Sequence, residues 1–71
     1  MYKYIIIIEQ AGDNYSCYCP DLPGCIATGP TVEETTRKMK QAIERHIEGL
    51  KREKMAIPTP STGATSIEVA A

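Results

Sequence analysis

Three cysteines within nine positions, Cys17, Cys19 and Cys25, and a single histidine, His46, are the residues of this 71-residue chain whose chemistry could hold a metal ion or attack a substrate. A tetrahedral zinc site would take three thiolates and the imidazole. The C-x-C-x5-C spacing lacks the paired turns that structural zinc sites use, and His46 would have to reach in from another element. Cys17 and Cys19 stand two apart, so in a strand they share a face and read as small apolar core residues. No serine or cysteine has the neighbours of an activated nucleophile, and one histidine without a placed acid is not a catalytic pair. His46 itself falls on the apolar side of a helical pattern and reads as a packed side chain. The expectation is a chain with no catalytic residues, no metal and no cofactor.

The remaining groups of interest are carboxylates outside the helical region. Residues 32–54 carry seven basic side chains against five acidic ones, a local charge of +2, while the rest of the chain sets Lys3 against Glu9, Asp13, Asp21 and Glu68, a local charge of −3. The net charge of −1 gives no global field that would draw the chain to nucleic acid or an anionic membrane. The acidic part is the one suited to meet a basic partner.

Elements to position these groups can be read from the pattern. Tyr2 to Gln10 holds four consecutive isoleucines, Ile5 to Ile8, and such a run reads as a strand buried on both faces, hence central in its sheet. Ala11 to Asn14 is a polar turn and Tyr15 to Cys19 a second strand, making a β-hairpin. Pro20-Asp21-Leu22-Pro23-Gly24 cannot continue a ladder, because both prolines lack the donor, and Pro23-Gly24 suits the centre of a type II turn. Cys25 to Thr28 is a third strand. Thr31-Val32-Glu33-Glu34 has the spacing of a helix capping box. Beyond it Val32, Thr36, Met39, Ile43, Ile47 and Leu50 recur at threes and fours, with Ala42 and His46 beside them and Lys38, Gln41, Arg45 and Lys51 opposite. The helix should fade near Lys54. Met55 to Gly63 is a connection, and Thr65 to Val69 alternates as a short fourth strand.

The order β-β-β-α-β makes the helix a crossover, and the right-handed rule then puts the fourth strand parallel to the first. The expected fold class is α+β: one domain over residues 1–71, a four-stranded mixed sheet of order 3-2-1-4, and one helix packed on one face. At 71 residues such a domain buries only about 60% of the surface its unfolded chain exposes, so self-association is the expected supplement. The 42% hydrophobic content excludes a disordered chain, and no apolar run approaches the length of a membrane span. An odd number of cysteines and no signal-peptide pattern point to a reduced cytoplasmic setting.

Tyr18-Cys19-Pro20-Asp21-Leu22-Pro23-Gly24-Cys25, followed by Thr28-Gly29 and Thr31-x-x-Glu34, resembles the HicB-like antitoxin family, in which a PDLPGC loop precedes a T-x-G-x-T-x-E-E helix start. The likeness continues through Ala42-Ile43, Ile47-x-x-Leu50 and Ile57-Pro58-x-Pro60-Ser61, nearly the whole chain. It implies a partly reduced ribonuclease H-like fold, assembly as a homodimer or homotetramer, and neutralisation by occlusion of a small basic toxin, a HicA-type RNase that cleaves messenger RNA. Many members carry a C-terminal DNA-binding segment; the chain stops after the fourth strand, so direct DNA binding is not expected. A ribonuclease H-like ancestor raises the question of metal-dependent hydrolysis, which needs converging carboxylates including one inside the first strand. Tyr2 to Ile8 contains none.

The functional expectation is therefore an antitoxin-type inhibitor, not an enzyme, whose acidic sheet-and-loop surface meets the toxin. Glu9, Asp13, Asp21 and Leu22 are the expected contacts, with Asp21 and Leu22 presented on a proline-stiffened loop at low entropic cost. That loop also has a sufficient mechanical reason to exist, as the turn between two strands. The alternatives are an RNA-binding accessory module using the helix's basic residues, Lys51 and Arg52 among them, or an orphan homo-oligomeric domain with no toxin partner. Carboxylates interspersed along the helix argue for a solvated face laced by i,i+4 pairs such as Lys40 with Glu44.

Overall fold

The computed structural model describes all 71 residues, Met1 to Ala71. Its elements are β1 (Ile7–Ala11), β2 (Asn14–Tyr18), β3 (Ile26–Gly29) and α1 (Val32–Arg52). They make one antiparallel sheet of order β1-β2-β3 with the helix on one face. β1 and β2 pair from Ile7 opposite Tyr18 to Ala11 opposite Asn14. The turn is Gly12-Asp13, with Gly12 at φ 63° and Asp13 at negative φ. Positive φ at the first central position alone is the type II′ pattern, whose twist matches that of the flanking strands.

Two expectations about the sheet are overturned. The first strand starts at Ile7 rather than Tyr2, because the hairpin register carried backwards would set Pro20 opposite Ile5, and proline has no amide to pair. The fourth strand does not form: Thr65 to Val69 joins no ladder, and the architecture is β-β-β-α, not a four-stranded mixed sheet of order 3-2-1-4. The connection after the helix is the physical reason. Tyr4 donates its hydroxyl to the Pro58 carbonyl at 2.6 Å, and Ser61 and Thr62 bind the Asp21 carboxylate, so the chain is led to the loop end of the sheet. From there Ile67 and Val69 point into solvent, 85% and 76% exposed. β1 consequently lies at an edge, and its isoleucines are half-buried instead of enclosed on both sides.

The helix begins as its sequence dictates. Thr31 sits in extended geometry, and its hydroxyl accepts from the Glu34 amide at 3.1 Å, satisfying one of the free donors of the first turn. At the other end the Lys54 amide donates to Lys51 and the Met55 amide to Leu50, with Lys54 at φ 55°. This is a Schellman closure with lysine where glycine is usual.

The helix contacts β2 and β3 and leaves β1 largely uncovered. Its innermost residues are Thr35 and Met39, both with no exposed surface. The sheet-facing stripe is thus rotated from the expected one, for Val32 and Thr36 lie outside while Thr35 takes the closest approach. Thr35 satisfies its hydroxyl on the Thr31 carbonyl at 2.7 Å and packs over Gly29, where a Cβ would come within 2.8 Å of its oxygen. Gly29 is what lets α1 lie so close to β3. The core is small: Cys17, Cys19, Leu22, Cys25 and Met39 are buried, with Tyr4, Ile6, Ile8, Ala27 and Ile43 packed around them.

Candidate functional site

Strand alternation divides the sheet into two faces. Ile6, Ile8, Cys17 and Ala27 turn toward the helix. Their neighbours therefore share the opposite face, where the register lines up Ile7, Tyr18 and Ile26 in one row and Glu9, Ser16 and Thr28 in the next. No layer of the protein covers this face. Tyr18 is 44% and Ile26 69% exposed, and Glu9 and Thr28 are exposed beside them. An apolar row bordered by a polar row with a carboxylate has the make-up of a protein-recognition surface, whose desolvated centre supplies affinity and whose polar rim supplies register.

The loop after β2 is built differently. Leu22 donates its amide to the Cys19 carbonyl and Cys25 donates to Leu22, so the loop is two successive tight turns. Pro23 and Gly24 are central in the second, and Gly24 at φ 90° gives the type II geometry expected of that pair. Leu22 drops into the core with no exposed surface. Asp21 turns the other way and accepts four hydrogen bonds: from the amides of Ser61 and Thr62 at 3.0 and 3.2 Å and from their hydroxyls at 3.0 and 2.8 Å. Those bonds, the Ser61 amide first and the Thr62 hydroxyl next, hold the Asp21 carboxyl at a pKa of about 2.

The four residues expected to contact a partner are therefore not one cluster. Asp13 is at the hairpin tip and Asp21 at the far end of β2, roughly 17 Å away at strand rise. Glu9 stands between them on the open face. Leu22 serves the core, and the Asp21 carboxylate is engaged by the chain itself. Sequence reasoning missed the Ile7–Tyr18–Ile26 row, although alternation with inward-facing Cys17 and Cys19 already turns Tyr18 outward. It also missed Ser61 and Thr62 as the partners of Asp21, for which the sequence carries no local signal, since forty residues separate them.

The thiols lie inside. Burial pushes Cys17 and Cys25 up from ordinary thiol pKa values, and the Cys17 Sγ leans toward the Thr35 carbonyl at 3.9 Å. Protonated, enclosed thiols are poor ligands and poor nucleophiles. No three His, Cys, Asp or Glu side chains converge in a metal-holding group, and His46 sits half-buried on α1 away from the three cysteines' cluster. No helix is long and apolar enough to cross a membrane.

Comparison with known proteins gives a family model, described as HicB-like antitoxin of bacterial toxin-antitoxin systems, that matches residues 4–70. Among similar proteins, an uncharacterized 14.9 kDa protein of Haemophilus phage HP1 is 40% identical over 55 residues, 78% of this chain. The matched part spans only 41% of that phage protein's length. A UPF0150 protein of Synechocystis is 37% identical over 59 residues, covering 82% of this chain and 75% of its own. Another, from Thermoplasma acidophilum, is 40% identical over 57 residues, covering 79% and 83%. No solved structure matches the chain.

Proposed function

The chain belongs to the HicB-like antitoxin family, and we propose that it serves as the protein inhibitor of a toxin–antitoxin pair, capturing a small basic HicA-type toxin that cleaves messenger RNA and occluding its working surface. The observation that carries this reading is the uncovered sheet face, with Ile7, Tyr18 and Ile26 in a row beside Glu9. A basic protein brings long side chains whose stems lie over Tyr18 and Ile26 and whose charges meet Glu9 at the rim, with Asp13 reachable at the hairpin tip. Asp21 and Leu22 act one step back, shaping the loop from which β3 enters. The role is binding, with no chemistry of its own, in the cytoplasm. Self-association as a homodimer or homotetramer belongs to the same reading, because the core of a single copy is so small.

The test is capture from native cells with the wild-type chain and with Tyr18→Asp/Ile26→Asp, followed by an RNase assay on any short basic protein retained. The expected result is one such protein, held by the wild type, lost with the variant, and silenced as an RNase when wild-type chain is added. Capture of RNA without a basic protein, or equal capture by both forms, defeats the reading.

A further inference from the structure

The side of the molecule that the helix leaves open has a defined shape. Between the residues leading into β1 and the flank of α1 runs a groove of about 470 Å³, with Tyr2, Tyr4, Ile6 and Ile43 on its walls and Lys40 and Glu44 beside them on the helix. Tyr2 and Tyr4 stand edge to face with ring centres 6.0 Å apart, forming one rim. Ile6 in its wall directly precedes β1, whose outer edge is unpaired.

The same chain carries an unused apolar segment. From Gly63 to Ala71 no residue hydrogen-bonds to the body, whereas the two residues just before are fixed to Asp21. Ile67 and Val69 are two apart, on one side of any strand this arm forms, and both are among the most exposed large apolar side chains of the molecule. The molecule is also more extended than its length requires. The chain exposes 5680 Å², against about 4,400 Å² for a compact monomer of 7.8 kDa, an excess of about 1,300 Å². Its radius of gyration is 13.9 Å where about 11 Å is usual for this length. A standard protein interface removes roughly 800 Å² from each partner, so the excess is of the size a pairing would cover.

We propose that two copies exchange these arms, Ile67 and Val69 of each entering the groove between the N-terminal residues and α1 of the other, with the arm backbone alongside the free edge of β1. This rests on the self-association proposed above and not on the toxin, since the groove lies on the helix side of the sheet and the Ile7–Tyr18–Ile26 row on the other. The Asp21 latch sets where each arm leaves its own body, fixing the geometry of exchange. Added strand and filled groove complete each other: the arm gains backbone partners and β1 loses an exposed edge. Exchange of identical elements closes after two copies and leaves no further arm free.

The experiment is light scattering on the full chain at tens of micromolar, comparing wild type with Ile67→Asp/Val69→Asp. Both side chains are exposed in the single copy, so the variant keeps the helical signal of α1 in its far-ultraviolet circular dichroism. The expected result is a wild-type dimer and a variant whose dimer constant is weakened by roughly tenfold or more. In a mixture of isotopically labelled and unlabelled wild-type chains, cross-chain nuclear Overhauser contacts are expected between the Ile67 and Val69 methyls and the Tyr2 and Tyr4 rings. A monomeric wild type overturns the exchange together with the self-association beneath it. A dimer that ignores the substitutions, or contacts found only within one chain, overturns the exchange while leaving self-association standing.

Discussion

The two sides of the sheet's helix-bearing face are finished to different degrees. Over β2 and β3, Thr35 and Met39 have no exposed surface, Gly29 lets the helix come close, and the enclosed cysteines complete the packing. Beside the residues that lead into β1, the helix borders an open groove, and Ile5 to Ile8 are only half-buried. A domain that had to be stable alone would cover its most apolar strand first. This one encloses Leu22, Met39 and the cysteines and leaves Ile5 to Ile8 half-buried, the uneven burial on which the proposed self-association rests.

That contrast can be broken by mutation. Met39→Ala, in the closed half, is expected to cost about 2–5 kcal/mol in urea unfolding of a common oligomeric state. Gly29→Ala forces a Cβ against Thr35 and is expected to cost about 1–3 kcal/mol, with part of the loss recovered in Gly29→Ala/Thr35→Ala. Thr31→Ala removes the helix cap and should cost about 1 kcal/mol by the same measurement. Ile26→Thr, on the open face, should move stability by no more than about 0.5 kcal/mol. If it costs as much as Met39→Ala, the sheet face opposite the helix is covered in solution.

The smallest expected effect concerns the latch and pH. The Asp21 pKa is about 2 in the folded chain, below the 3.8 of a free carboxyl. A group depressed in this way contributes stability that is complete above the unfolded pKa and is lost as pH falls through the folded one. Amide exchange at Ser61 and Thr62 should therefore stay slow down to about pH 4 and then accelerate, relative to amides within α1, as the pH approaches 2. Asp21→Ala should show the fast behaviour at every pH. Unchanged exchange in that variant would mean the latch does not hold the segment.

Local chemistry made much of this legible. The hairpin, the Pro23-Gly24 turn and the Thr31 cap all follow from residues that act on their immediate neighbours, whereas the helix closes on Lys54, a residue that carries none of glycine's signal for that conformation. The isoleucine run misled because composition reports that a strand is apolar on both faces without saying whether its coverings belong to the same chain. Thr65 to Val69 failed as a fourth strand for a related reason: period-two alternation gives a segment the capacity to pair but not a partner, and Asp21 holds the preceding residues elsewhere. The same hydrogen bonds removed Asp21 from the list of free surface acids. The apolar row beside Glu9 needed the register to be seen.

The enclosure of Cys17, Cys19 and Cys25 has a practical side. A thiol reagent cannot reach them while the helix lies on the sheet, so alkylation proceeds only through molecules that have opened. Each molecule thereby carries three internal markers of its own excursions from the native state. The labelling rate under native conditions becomes a clock for opening, and a bound partner that holds the helix in place would be seen as a slowing of that clock.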